Sequence, residues 1–260
     1  MRYKTITELS KSLLPYMLNN TGSVAKGNAY HVFNVVLESK TCKYDIDLGL
    51  TTGHTKIRWS RLVSLYIDRD KLANFIKLAK SLDNQCSVSM QFKSIAGKKL
   101  DHQYGNCLLA VCYCNKTLTL FSRTCFAGYM SYFDLALAYK IACKIDSSEN
   151  ISFRWHIIDL QVNYLRSLQV IMLDSELSSR LSYLSKHPKK LTQASLPWQR
   201  IVGVYKRRFL CHYDKVGVDI LKEAKYGPAR RFIKRWLILQ KKLPGNYPKS
   251  FTPKDITLHF

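Results

Sequence analysis

The chain has 260 residues, a mass of 30.1 kDa and 47% hydrophobic residues, enough to bury one sizeable core, so an intrinsically disordered protein is excluded. No apolar run of about 18 residues occurs, which excludes a helical membrane span, and the start MRYKTITELSKSLL lacks a secretory apolar block, so the expected location is the cytoplasm, that of the host if the protein is viral. The formal net charge is +23 with a pI near 9.7, well beyond the roughly 2 to 8 units that solubility asks of a small domain, and it implies a polyanionic partner; with no long apolar run, that partner is not expected to be a membrane.

Thr5 and Glu8 stand at capping-box spacing ahead of Leu9, Leu13, Leu14, Met17 and Leu18, so residues 5–19 read as an amphipathic helix with Pro15 inside it. The β-branched and aromatic stretch AYHVFNVVLES reads as a strand. Residues 58–80 read as one helix with Leu72, Phe75, Ile76 and Ala79 on its apolar side, and CSVSMQF alternates as a strand. Residues 93–106 are polar and glycine-bearing, a loop.

Residues 107–114 are nearly all apolar, and residues 117–122 alternate Thr117, Thr119 and Phe121 against Leu118 and Leu120, the period of two that marks strands. Asn115-Lys116 between them suits a two-residue hairpin turn, because Asn tolerates the left-handed backbone such a turn requires. Arg123 closes the second strand, and Asp134 is placed to N-cap a helix over LALAYKIACKI. FRWHIIDLQVN reads as a further strand with His156 in its middle. Residues 164–186 then read as one long helix, with Leu168, Ile171, Met172, Leu177, Leu181 and Leu184 on its apolar side and His187-Pro188 as its stop.

The eight cysteines show no CxxC pairing and sit mostly in apolar patterns, which points to reduced thiols; Cys112 and Cys114 share one strand face without further ligands at zinc-site spacing, so no metal is expected. Residues 186–254 hold 18 Lys or Arg against Asp214, Asp219 and Glu223. The clusters are Lys189-Lys190, Lys206-Arg207-Arg208, Arg230-Arg231, Lys234-Arg235 and Lys241-Lys242, interleaved with Trp198, Tyr205, Tyr213, Phe232 and Trp236. Cations follow phosphates and aromatic faces stack on bases, so these eleven side chains are the candidate nucleic-acid contacts. Pro228 and Pro244-Gly245 bound one helix in this region, and Pro248 and Pro253 suggest an extended tail.

Cys107, the hairpin, Arg123 and, eleven residues on, Phe133-Asp134 resemble in order and spacing the central part of the thymidylate synthase superfamily, which includes the pyrimidine nucleotide hydroxymethylases. The resemblance implies an α/β (α+β) fold, a thymidylate-synthase-like mixed sheet flanked by helices. Chain length and the charge distribution add the expectation of a single domain, with residues 1–185 as the thymidylate-synthase-like core and a basic helical part at 186–260 packed on it. It also implies a nucleotide site: Cys107 as nucleophile, Arg123 and Thr124 on the phosphate, and Asp134 reading the pyrimidine edge. Asp at that position marks the cytosine branch, since a carboxylate accepts from the cytosine amino group. Gln161 and Asn163 stand where the family places a His and a Tyr on the ribose, and both amides can bond a sugar hydroxyl. Residues 49–67 resemble the family's Thr-Thr-Lys strand and first long helix. Residues 58–67 nevertheless contain none of the carboxylate that relays protons there, and Asp68 and Asp70 follow a turn late. Asn84-Gln85 replaces a pair of phosphate-binding arginines, and Phe126 replaces an aspartate tied to folate.

A pyrimidine enzyme gains little from a charge of +23, whereas a protein lying along a nucleic acid draws most of its affinity from it. The expected function is therefore single-stranded DNA binding in viral replication or transcription, without cofactor. A polymerase or replication protein is the expected partner, and family analogy points to a homodimer. The alternative is a dCMP- or CMP-type hydroxymethylase or methylase using Cys107, with folate as cofactor.

Overall fold

The structure, a computed structural model, describes residues 1–20, 24–26, 29–82, 86–93, 107–128, 130–207, 238, 245 and 249–258. The loop at 94–106, Asn84-Gln85, the cations Arg208, Arg230, Arg231, Lys234, Arg235, Lys241 and Lys242, and the helix expected after Pro228 lie outside these residues.

Two long strands, β3 (Ala29–Thr41) and β7 (Ser152–Asn163), pair antiparallel from Ala29 opposite Asn163 to Ser39 opposite Phe153. Their β-branched and aromatic residues suit a pleated surface covered on one side. β6 (Thr117–Phe126) runs parallel to β7, and β5 (Leu108–Cys114) and β4 (Ser87–Gln91) follow antiparallel. At the other edge β1 (Arg2–Thr5) lies parallel to β3, while β2 (Val24–Lys26) pairs with the start of β3. Asn115 and Lys116 join β5 to β6 with φ of 45° and 53°, the left-handed pair whose twist matches the flanking strands.

One face of the sheet is covered by α1 (Ile6–Asn19), α4 (Arg69–Ser81), α5 (Met130–Ile145) and α6 (Tyr164–Leu173). The hydroxyl of Thr5 caps α1 by accepting from the Glu8 N–H at 3.2 Å, and Pro15 sits inside the helix without ending it. Glu8 in turn accepts from the Lys4 N–H at 2.9 Å, one residue earlier than a capping box would have it. Between helices and sheet lie fully buried Trp155, Phe153, Leu160, Leu118, Leu120 and Leu13, with the Trp155 indole donating to the Ser122 hydroxyl at 2.7 Å. Residues 249–258 are no free tail: Phe251, Ile256 and Leu258 are buried, and the Leu48 N–H donates to the Phe251 carbonyl at 2.8 Å. Gly49 permits that approach, because a Cβ there would fall on the Lys249 carbonyl oxygen.

Several expected boundaries move, each for a local polar reason. Residues 48–52 are not a strand but a short helix, α2 (Leu48–Thr52), capped by Asp47 accepting from the Leu50 N–H at 2.8 Å and ended by Gly53 at φ 64°. The single helix expected over 58–80 is two, α3 (Lys56–Tyr66) and α4, because Asp68 leaves the helix to cap α4. In the same way Asp174 divides the long helix into α6 and α7 (Ser175–Lys186), accepting from the Glu176 and Leu177 N–H groups. α8 (Pro188–Gln193) and α9 (Leu196–Tyr205) follow, and α9 packs on α1, α6 and α7. Asp134 is not an N-cap either: α5 begins at Met130, where the Ser131 hydroxyl accepts from the Gly128 N–H at 3.0 Å, and Asp134 is inside the helix.

β6 does not close at Arg123 but runs on to Phe126, and Arg123 marks a kink instead. Ser122 pairs with Ile157 and Thr124 with Asp159, so Arg123 and Ile158 drop out of the ladder together. Asn34 (φ 55°) drops out opposite Ile158, and the β5–β6 register shifts between Leu108 and Ala110. The kink thus crosses four neighbouring strands at one level. On its two sides the inward-facing residues are three apart, Ser122 then Cys125 and Ile157 then Leu160, so the alternation changes phase as it does at a bulge.

Candidate functional site

Asp134 has no exposed surface, and neither of its carboxyl oxygens has a hydrogen bond of ordinary geometry. Ionising a carboxyl without water or partner is costly, so burial pushes its pKa up to about 8; the Cys125 thiol against it pulls the other way. At neutral pH the group is therefore mostly a neutral acid, with one O–H to donate and one carbonyl to accept. That is a different instrument from the ionised acceptor the cytosine edge would meet.

Cys125 lies against this carboxyl, Tyr66 is within electrostatic reach of it, and Cys107 is within electrostatic reach of both Cys125 and Tyr66. Burial raises the Cys125 thiol well above its ordinary value, and Asp134 and then Cys107 add to the rise. Tyr66 at the end of α3 is raised by burial, then by Asp134 and Cys107. Its ring and that of Trp59 flank Phe133, at 5.4 and 5.3 Å between centroids. Cys107 is half-exposed, and its carbonyl accepts from the Arg123 N–H at 2.8 Å, which fixes the two backbones side by side.

The Arg123 side chain is exposed, at a position flanked by the inward-facing Ser122, whereas Asp134 is sealed on the helix-covered side. Thr124 is half-buried opposite Asp159. Gln161 donates to the Asp159 carboxylate at 2.5 Å, and His31, opposite Gln161 in register, donates its Nδ1–H to the other oxygen at 2.9 Å. The Gln161 amide thus holds Asp159, and Asn163 is half-buried at the last position of β7. Asp68 has its carboxylate engaged in capping α4. Two surface clefts are formed by described residues, one lined by Lys80, Tyr113, Lys116 and Asp146 among others, the other by Arg2, Glu38, Lys40 and Arg154 among others. Among the described residues no three His, Cys, Asp or Glu side chains gather as they would around a metal ion.

A second candidate surface is made by α7, α8 and α9. Between Glu176 and Asp214 the chain carries eight Lys or Arg and no acid. Arg180, Lys186, Lys189, Lys190, Arg200 and Arg207 are exposed and Lys206 half-exposed, and among the described residues none of them forms an ion pair. Arg180 lies over the buried Trp198 ring at 5.1 Å. Tyr183 and His187 stack with centroids 4.3 Å apart. Tyr183 and His187 were not among the sequence candidates, although their spacing of four on a helix places them on one face. Tyr66 and Cys125 were missed because nothing local marks them as neighbours of Asp134.

No protein-family model matches the sequence, and no curated protein matches it. Among solved structures, the chain is similar to the thermostable thymidylate synthase A from Bacillus subtilis, with 10% identity and a TM-score of 0.42 over 65% of this chain and 84% of that one. The likeness is one of architecture, a mixed sheet flanked by helices.

Proposed function

We propose that this protein binds nucleic acid, single-stranded DNA in preference, through the cations of α7, α8 and α9 and the basic sequence that follows them. The observation that carries the reading is the acid-free run of exposed cations from Arg180 to Arg207. Exposed cations without carboxylate partners are available to neutralise phosphates, and the counterions this releases from the nucleic acid drive binding. Titration of a labelled oligonucleotide tests it. With about five phosphate contacts the affinity should fall about a hundred-fold between roughly 50 and roughly 200 mM salt; an affinity indifferent to salt would overturn the reading.

A second reading is favoured by Cys107 lying within electrostatic reach of Cys125 and Tyr66, the neighbours of Asp134: a pyrimidine hydroxymethylase or methylase with Cys107 as nucleophile toward the ring and Arg123 on the phosphate. It ranks below the first because Asp68 is engaged as a helix cap, and because Arg123 is exposed while Asp134 is fully buried. Cys107→Ser should abolish turnover of a deoxycytidylate with a folate donor, and full turnover in that variant would end the enzymatic reading.

For assembly, we propose a homodimer through the sheet face away from the helices. Phe33, Val36, Leu109, Phe121 and Ile158, all on β3, β5, β6 and β7, are between 36% and 52% exposed. Glu38 accepts there from Arg2 and Arg154 and Asp159 from His31, so part of the positive charge on this face is neutralised where two copies would approach. Four strands of about ten residues span about 600 Å2 of plane, near the roughly 800 Å2 per partner of a standard interface. Phe33→Glu should convert a dimer in sedimentation to a monomer; a wild-type protein that is monomeric at high concentration would dispose of the idea.

A further inference from the structure

Tyr183 and His187 form a stacked pair in an unusual setting. Their rings are 26° from parallel and one helical turn apart, and Tyr183 is 48% exposed. His187 cannot swing freely, because its Nδ1–H donates to the Tyr183 carbonyl at 2.8 Å and so holds the ring against its neighbour. The pair sits at the junction of two helices: His187 ends α7, and its own carbonyl accepts from the Lys190 N–H at 3.0 Å to begin α8. Lys186, Lys189 and Lys190 are therefore within one turn of the rings, and Arg180 precedes Tyr183 by three residues on the same helix.

Each feature narrows the ligand. An acidic peptide or a duplex backbone would use the cations and leave the aromatic pair without a purpose. An aliphatic partner would use the rings and leave the cations unmatched. A nucleobase freed from pairing presents a flat π-face, and its strand carries phosphates on both sides at the reach of lysine side chains. A ring pair already stacked and pinned by a hydrogen bond loses little freedom when a third ring is added.

We propose that Tyr183 and His187 are a stacking platform for one unpaired base of a single strand, whose flanking phosphates lie on Lys186, Lys189 and Lys190. The site deepens the nucleic-acid reading above and rests on it. It also gives a physical reason for single strands over duplex, since a paired base cannot present its face to the platform.

The test compares three labelled ligands of equal length by fluorescence anisotropy: oligothymidylate, the same backbone with abasic sites throughout, and a duplex. The full chain is used as wild type, as Tyr183→Leu, which keeps apolar bulk on the helix, and as Lys189→Gln/Lys190→Gln. Wild type should bind the base-bearing strand about ten-fold tighter than the abasic one. Tyr183→Leu should erase that difference while leaving abasic binding and its salt dependence unchanged. Tyr183→Phe should restore it, and the lysine double variant should weaken both strands alike. If wild type binds base-bearing and abasic strands equally, or prefers duplex, the platform is refuted and nucleic-acid binding survives. If it binds none of the three, both are refuted.

Discussion

Asp134 and Lys190 are both ionisable residues in helices, and they show what burial does to charge. Asp134 is one fully buried carboxyl beside the Cys125 thiol, with no hydrogen bond of ordinary geometry to either oxygen, and it answers by keeping its proton up to about pH 8. Lys190 is one of several exposed cations that no carboxylate among the described residues neutralises. The first region stores a large effect in a single group, whereas the second spreads a large effect over many small ones. A ligand that exploits the first must fit around one acid, and a ligand that exploits the second needs only repeated negative charge.

The largest expected effect tests the buried half of this contrast. The folded Asp134 holds its proton to about pH 8, while an unfolded one releases it near the ordinary 3.8. Between those values the folded state binds more protons, so stability declines as pH rises through this window and levels off above it. Chemical denaturation should show wild type losing, relative to Asp134→Asn, about 4 kcal/mol between about pH 5 and about pH 9. Parallel curves for the two proteins would mean that Asp134 is paired or hydrated. That outcome would dissolve the comparison.

Next in size is the salt response of oligonucleotide binding, which addresses the exposed half. Neutralising Lys189 and Lys190 should reduce the slope of log affinity on log salt by about one to two, as two phosphate contacts are lost. An unchanged slope would move the binding surface away from α7 and α8. The smallest effect concerns the scaffold that presents the platform. Asp174→Ala removes the cap that accepts from two N–H groups of α7 and should cost about 1 kcal/mol. It should leave the Asp134 pH profile as it was; a profile that changed would show that the two regions are energetically coupled.

How far the site could be read in advance follows from the range of each cause. The hairpin was legible because Asn115-Lys116 and the alternation around it are local, and the left-handed pair appears where they put it. The division of the helices at Asp68 and Asp174 was encoded in single capping residues inside otherwise periodic segments, which a reading of apolar spacing passes over. Asp134 offers the same residue type with the opposite outcome. It looks like a cap beside LALAYKIACKI, but Gly128 and Ser131 start the helix earlier, and the carboxyl ends up inside it. The role of Gln161 was equally hidden, because Asp159 and His31 claim its surroundings from the same and a neighbouring strand.

The sequence by itself determined most of the strand and helix segments, though not all their boundaries, and the concentration of positive charge toward its end, because periodicity, turn chemistry and composition act within a few residues or need no geometry at all. Tertiary structure alone decided that Asp134 is buried against Cys125 and within electrostatic reach of Tyr66, that Arg123 is exposed beyond a kink shared by four strands, and which aromatic rings remain in solvent. Burial is set by segments that arrive from far along the chain, and it is burial that turns a carboxyl into a neutral acid or leaves a ring open to a ligand.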